Sequence, residues 1–466
     1  TTKTVDGVGT FTVAADGTVT FVPEKTFIGT APAVTVVRED KNGTKASATY
    51  TPTVTPVTPT ATPAETTGVQ GATQTGKPVF TEGDSRVPMN DDVAATFDDG
   101  STTKTVDGVG TYTVAADGTV TFVPDPSFTG TAPAVTVVRE DKNGTKASAT
   151  YTPTVNPVTL TPTNKVSEDI QNVPQTETPT FALSDDETAQ ITSKKLIDPA
   201  TGQPTDETTV TVAGEGTYTI DPTTGAVTFT PEKDFVGTAT GVKVQATATI
   251  TNADGKASTI TSDASYTPTV VAAVPTANPA TSKDIQGATQ TGTPTFEGAT
   301  VQVSGQDKAI TIKDNSYTLL DNDGNEVTST PAYAADGTTE IGTYSIDPAT
   351  GQVTFTPTDK SYTGAVTPVK VQAESSNGIK VDTTYTPEIV PVTPTATPAE
   401  TTDIQGATQT GKPEFKGGTV TVDGVEKTVE INEDVPATFD DGSTTKTVDG
   451  VGTYTVAADG TVTFVP

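Results

Sequence analysis

The chain has 466 residues, a net charge of −31, 41 Gly and 35 Pro, and no Cys, His or Trp. Without Cys there are no disulfides, thiolate chemistry or Cys-bound zinc, and without His the commonest metal ligand and general base is missing. The excess of carboxylates, with Arg only at 38, 86 and 139, argues against nucleic acid or an anionic membrane as partner, because displacing phosphate counterions takes Lys and Arg.

No apolar run approaches the ~18 residues needed to span a bilayer; the longest, Val270-Val271-Ala272-Ala273-Val274, is short and flanked by Pro. Length alone calls for several domains, since one core serves ~100–200 residues. A hydrophobic content of 32% lies near the limit of what folds, and disorder is the competing reading. The regular placement of the aromatics favours a fold.

Residues 1–54 recur at 102–155 with changes only at Phe11/Tyr112, Glu24/Asp125, Lys25/Pro126, Thr26/Ser127 and Ile28/Thr129, and the 1–23 stretch recurs again at 444–466. Two longer, more divergent copies lie between, and Tyr-Thr-Pro marks each copy at Tyr50, Tyr151, Tyr266 and Tyr385. The expected units are 1–57 (the C-terminal part of a repeat), 58–158, 159–272, 273–391 and 392–466 (the N-terminal part of one). The two partial units are expected to expose strand edges and to be disordered or complemented by a neighbour, so that 392–466 followed by 24–54 makes one whole unit across two molecules.

Within a unit the first signal is an aromatic after Pro: Phe80, Phe181, Phe296 and Phe415. Next, residues 111–114 and 119–122 alternate Thr with Tyr, Val and Phe, the period of half-buried strands, and the Ala-Ala-Asp-Gly between them supplies a hairpin turn. In the divergent copies that turn reads 221–225 and 347–351, where Pro presets φ and Gly supplies positive φ. Phe128, Phe235 and Tyr362 follow, each before a Gly, and a second hairpin joins 134–138 to 146–151 across Asn143-Gly144. No helical period is sustained. Five recurring aromatic positions per unit are expected to fill one core per domain. Short strands with turn signals every ~8–12 residues predict an all-β chain of tandem β-sandwiches of immunoglobulin-like kind, lacking the Cys and Trp of antibody domains. The Thr/Pro-rich segments 51–63, 152–162, 267–279 and 386–398 are expected to join them as extended, polyproline-like spacers.

The run Gly-Thr-Tyr-Thr-Val-Ala-Ala-Asp-Gly-Thr-Val-Thr-Phe-Val-Pro at 110–124, followed by Phe128-Thr129-Gly130-Thr131-Ala132 and closed by Tyr151-Thr152-Pro153, resembles the repeat domain of CshA-type fibrillar surface adhesins of oral streptococci. The resemblance covers essentially the whole chain. It implies a secreted, cell-wall-anchored protein of a Gram-positive surface, whose tandem repeats form a fibril while a region outside this chain binds fibronectin or other bacteria. Insertions such as 185–210 and 305–338 depart from that pattern.

Few residues suggest chemistry. The 321–326 segment, Asp-Asn-Asp-Gly-Asn-Glu, starts like a calcium loop but has Pro331-Ala332 where the distal bidentate Glu belongs, so a solvated turn is favoured. The acid pairs Asp91-Asp92, Asp98-Asp99 and Asp440-Asp441 read as exposed loop charge. The 107–110 stretch has Thr113 in place of the third Gly of a dinucleotide fingerprint and precedes a strand. The sequons at Asn42 and Asn143 coincide with tight turns, and the Asn of a Lys–Asn intramolecular bond is missing from 147–151. No catalytic, cofactor-binding or metal-binding residues and no cofactor are expected, and the chain is not expected to be an enzyme. The expected role is the structural stalk of a surface fibril carrying a distal adhesive region. The alternative is that the repeats themselves bind glycan or host protein, or self-associate laterally or head to tail.

Overall fold

The computed structural model describes all 466 residues, which form strands and turns and no helix. They fall into two compact units, Thr1–Ser167 with Pro174–Thr230 and Ala239–Pro268, and Glu168–Val173 with Pro231–Thr238 and Thr269–Pro466.

In the first unit, the clearest sandwich spans 60–156. One sheet has the order Gln74–Gly76, Val120–Pro124, Gly110–Val114, Thr103–Val106. The other runs Thr96–Phe97, Val135–Glu140, Lys146–Asn156, Gly130–Thr131, and Ala64–Val69 lies parallel to Lys146–Asn156, from Tyr151 opposite Ala64 to Asn156 opposite Val69. The alternation read from the sequence is what closes the core: Tyr112, Val114 and Phe122 of one sheet meet Phe97, Val135, Val137, Tyr151 and Val155 of the other. Tyr112 and Phe122 are directly opposed with ring centroids 4.5 Å apart, and Tyr151 meets Tyr112 edge-on at 6.5 Å. Tyr218, Phe229 and Tyr266 repeat that trio in the same unit, at 4.7 and 6.3 Å.

Residues 1–54 keep three strands, Thr2–Val5, Gly9–Val13 and Val19–Pro23, and the Val34–Glu39/Lys45–Tyr50 hairpin. Contrary to the expected disorder they are structured, because each hairpin partner is its sequence neighbour. Counterparts of 64–69 and 96–97 are missing there, and Tyr50 is 38% exposed where Tyr151 is 0%.

The second unit contains the sandwich 276–390. Gln290–Gly292, Val353–Pro357, Glu340–Ile346 and Ser329–Tyr333 form one sheet, and Ala280–Ile285, Lys380–Val390, Val369–Glu374, Thr318–Leu320 and Glu326–Val327 the other. Tyr344, Phe355 and Tyr385 fill its core. An additional hairpin, Ala299–Val303 with Gln306–Ile310, has a counterpart in Gly418–Val422 with Val425–Val429.

The Thr/Pro segments differ most from expectation, being strand over much of their length. Lys146–Asn156, Ala257–Val271 and Lys380–Val390 run straight through Tyr-Thr-Pro, so the actual joints shrink to 157–159, 272–275 and 391–394. Pro is accommodated because its carbonyl remains useful: Ala132 N–H donates to Pro153 O at 2.9 Å and Ala239 N–H to Pro268 O at 3.0 Å. A residue's N–H and C=O point to the same side of a strand, so the N–H that Pro153 lacks would face the 132–134 loop, where the ladder is interrupted.

Burial pushes the hydroxyl pKa of Tyr112, Tyr218 and Tyr344 above the ordinary value of 10.0. Native tyrosines that resist ionisation contribute stability that is complete below pH 10 and is lost as pH rises through their elevated native values. Alkaline titration is therefore expected to show tyrosinate absorbance from these rings only together with loss of near-ultraviolet dichroism.

Candidate functional site: the junctions between sandwiches

Each complete sandwich carries a buried polar clasp between its sheets. Thr66 Oγ1 donates to Gln74 Oε1 at 2.6 Å, so the Tyr151 hydroxyl, 2.7 Å away, donates to Thr66, while Gln74 Nε2 reaches Thr154 O at 3.0 Å. Ser282, Gln290 and Tyr385 form the same chain at 2.7 and 2.6 Å, and Ser167, Gln175 and Tyr266 a third, at 2.5 and 2.7 Å. Gly76 and Gly292 make room: a Cβ there would stand 2.3 or 2.4 Å from the Tyr151 or Tyr385 ring.

A second glutamine, just beyond the Ala64–Val69 strand, ties the sandwich to the joint that follows it. In the first unit Gln70 makes three hydrogen bonds: its N–H donates to Asn156 O at 2.8 Å, Nε2 to Pro126 O at 2.8 Å, and Oε1 accepts Val158 N–H at 3.2 Å. Val158 is thereby turned inward and buried with Ala189 and Ile250. From the next sandwich, Asn252 Nδ2 donates to Pro124 O at 2.7 Å and Ser258 Oγ to Pro126 O at 2.6 Å. Gly71, at φ +83, sits where a Cβ would press on Ile250, Thr251 and Thr188 at 3.0 to 3.4 Å. Asn252 also caps its own turn through the N–H groups of Asp254 and Lys256.

The second unit repeats the device twice. Gln286 N–H donates to Val390 O at 3.0 Å, and its Oε1 accepts Val392 N–H at 2.9 Å. Gln171 N–H donates to Val271 O at 2.9 Å, and here Asn377 completes the tie, its Nδ2 donating to Ala273 O at 2.9 Å. Asn172 takes the left-handed conformation, φ 66, that Gly71 and Gly287 take elsewhere, and donates to Asn377 O at 3.1 Å. Ala273 is buried among Ile170, Ile310, Val301 and Val303. In each case the joint residue next to the proline or alanine is held by hydrogen bonds and packed.

Gln70→Ala is expected to destabilise this contact by about 1–3 kcal/mol, because buried partners lose their bonds. Amide exchange at Val158 should accelerate while exchange in the 110–124 hairpin stays unchanged. Equal acceleration at both places would assign Gln70 to the sandwich instead.

The residues singled out in the sequence lie elsewhere. The Asp321 carboxylate accepts the Asp323 and Asn325 N–H groups at 3.0 and 2.8 Å, and the Asn325 amide beside it holds its pKa below the ordinary value; it closes a turn. Asp91 pairs with Arg139 at 2.6 Å, Asp92 with Lys142 at 2.5 Å, Asp98 with Lys104 at 3.3 Å and Asp440 with Lys446 at 2.9 Å. Asp99 and Asp441 accept the N–H groups of Ser101 and Ser443. The junction glutamines were missed, although the tripeptides Val69-Gln70-Gly71, Ile170-Gln171-Asn172, Ile285-Gln286-Gly287 and Ile404-Gln405-Gly406 carry the signal.

The family model of the surface adhesin CshA repetitive domain matches residues 1–54, 56–155, 157–270, 272–389 and 391–466. No curated protein matches in sequence. Similar solved structures include a three-domain immunoglobulin fragment of titin (11% identity, 72% of this chain, 97% of that one, TM-score 0.26). Others are extracellular cadherin domains 3–6 of protocadherin gamma B2 (11%, 84% and 91%, TM-score 0.26) and the first four extracellular cadherin domains of Drosophila N-cadherin (13%, 84% and 91%, TM-score 0.20).

Proposed function

Given that the chain belongs to the surface adhesin CshA repetitive-domain family, we propose that it is the stalk of a bacterial surface fibril, holding an adhesive region of the same protein away from the cell. The observation that carries this reading is the recurrent junction, in which a glutamine binds the end of the last strand and, at two of the three junctions, the joint residue. A tether that only needed reach would leave its joints solvated; hydrogen-bonded, packed joints resist bending, as a spacer requires. The charge of −31 adds mutual repulsion between neighbouring fibrils. Wall anchoring and the contacts with host or bacteria are assigned to regions outside this chain, and no enzymatic role is proposed.

Displaying the whole chain on an inert cell or bead surface tests this directly. Adhesion to host proteins, glycans and other bacteria is expected to stay at background, and a binding module fused to its far end should gain access to partners behind a polymer layer. Adhesion by the repeats alone would support a binding role instead.

A further inference from the structure

The second unit holds an ion pair across each of its two junctions. Asp169 pairs with Lys308, and Asp284 pairs with Lys427 at 3.1 Å. Both lysines occupy the same place in the additional hairpin, on Gln306–Ile310 and Val425–Val429. Each aspartate precedes the Ile-Gln pair and is oriented by its own neighbour, Asp169 Oδ1 accepting Ile170 N–H at 2.6 Å and Asp284 Oδ1 accepting Ile285 N–H at 2.8 Å. Both aspartate side chains are 21% exposed, so the pairs are partly withdrawn from water. Glu168 reinforces the first by accepting the Ser304 N–H at the hairpin turn.

The junction in the first unit lacks both halves. Gly68 stands where the aspartate would be, and the following sandwich passes from Thr180–Leu183 to Ala189–Ile197 with no intervening hairpin. Asn252 and Ser258 make its contact instead. Acid and hairpin lysine therefore occur together or not at all at these three junctions.

We infer that this Asp–Lys pair determines which sandwich can follow which: Asp before Ile-Gln accepts a neighbour bearing the hairpin lysine, and Gly accepts a neighbour without it. A mismatch leaves a partly buried carboxylate or ammonium unpaired, the usual means by which an interface rejects a wrong partner. Asp403 carries the acid form, with Oδ1 on Ile404 N–H at 2.7 Å. The inference stands whether the array spaces or binds.

The absence of Cys allows clean double labelling of the full chain at two exposed turns of the second unit through Ala349→Cys and Ala458→Cys, read by pulsed electron paramagnetic resonance across the Asp284–Lys427 junction. The parent is expected to give a narrow distance distribution, Asp284→Lys one at least about twofold broader, and Asp284→Lys with Lys427→Asp a narrow one again. Lys427→Ala should also broaden it, with circular dichroism confirming that every variant stays folded. An unchanged width in Asp284→Lys or Lys427→Ala, or failure of the charge-reversed pair to narrow it, would overturn the inference.

Discussion

Gly110→Ala is expected to destabilise the 60–156 sandwich by about 3–5 kcal/mol, combining backbone strain with overpacking. Gly110 has φ +149, and a Cβ there would stand 2.4 Å from Val123 O and 2.8 Å from both Pro124 Cα and the Phe122 ring. Two of those neighbours are backbone of the paired strand and cannot swing aside, and the ring belongs to the aromatic core. Gly9 and Gly452 share the conformation at φ +148 with the same contacts, so the requirement belongs to the fold. Urea unfolding followed by amide exchange at 110–124 reads the effect. A loss below about 1 kcal/mol, the range of an ordinary Gly-to-Ala change, would mean that the strand can shift.

Tyr151 should separate ring from hydroxyl. Tyr151→Ala empties the centre of a core in which the residue is fully buried and is expected to cost about 3–5 kcal/mol, as aromatic truncations do. Tyr151→Phe keeps the edge-on contact with Tyr112 but leaves Thr66 without its donor, at about 1 kcal/mol. Equal losses in the two variants would place the stabilisation in the polar clasp instead of the packed ring.

These two residues show how unevenly the structure was written in the sequence. The aromatic trio was legible because strand alternation is local: Thr faces water and Tyr or Phe faces the core in every copy, so the period survives without knowledge of the partner strand. The same holds for the Asn143-Gly144 turn. Tyr151-Thr152-Pro153-Thr154-Val155 also alternates, with Tyr151, Pro153 and Val155 buried, but Pro was read as the end of the strand. Whether a proline fits depends on which neighbour its missing N–H would face, and that is set by residues 130–134, some twenty positions away. The junction glutamines were hidden for a similar reason. Gln70 acts on Pro126 and Val158, partners remote in sequence, and only its recurrence before Gly or Asn marks it. The acid pairs attracted notice by charge density alone, and most of them meet lysine or arginine within the same sandwich.

The central claim is that the joints are ordered contacts and that Gln70, Gln286 and Asn377 order them, through Val158, Val392 and Ala273. Amide hydrogen exchange on the full chain, beside a variant with all three changed to alanine, tests it most directly. The parent is expected to protect the Val158 and Val392 amides, which donate to Gln70 and Gln286, and the variant, with its sandwiches still folded by circular dichroism, to exchange both markedly faster while 110–124 is unchanged. Val158 and Val392 amides that already exchange at the solvent rate in the parent, or that the three substitutions leave unaltered, would contradict the account.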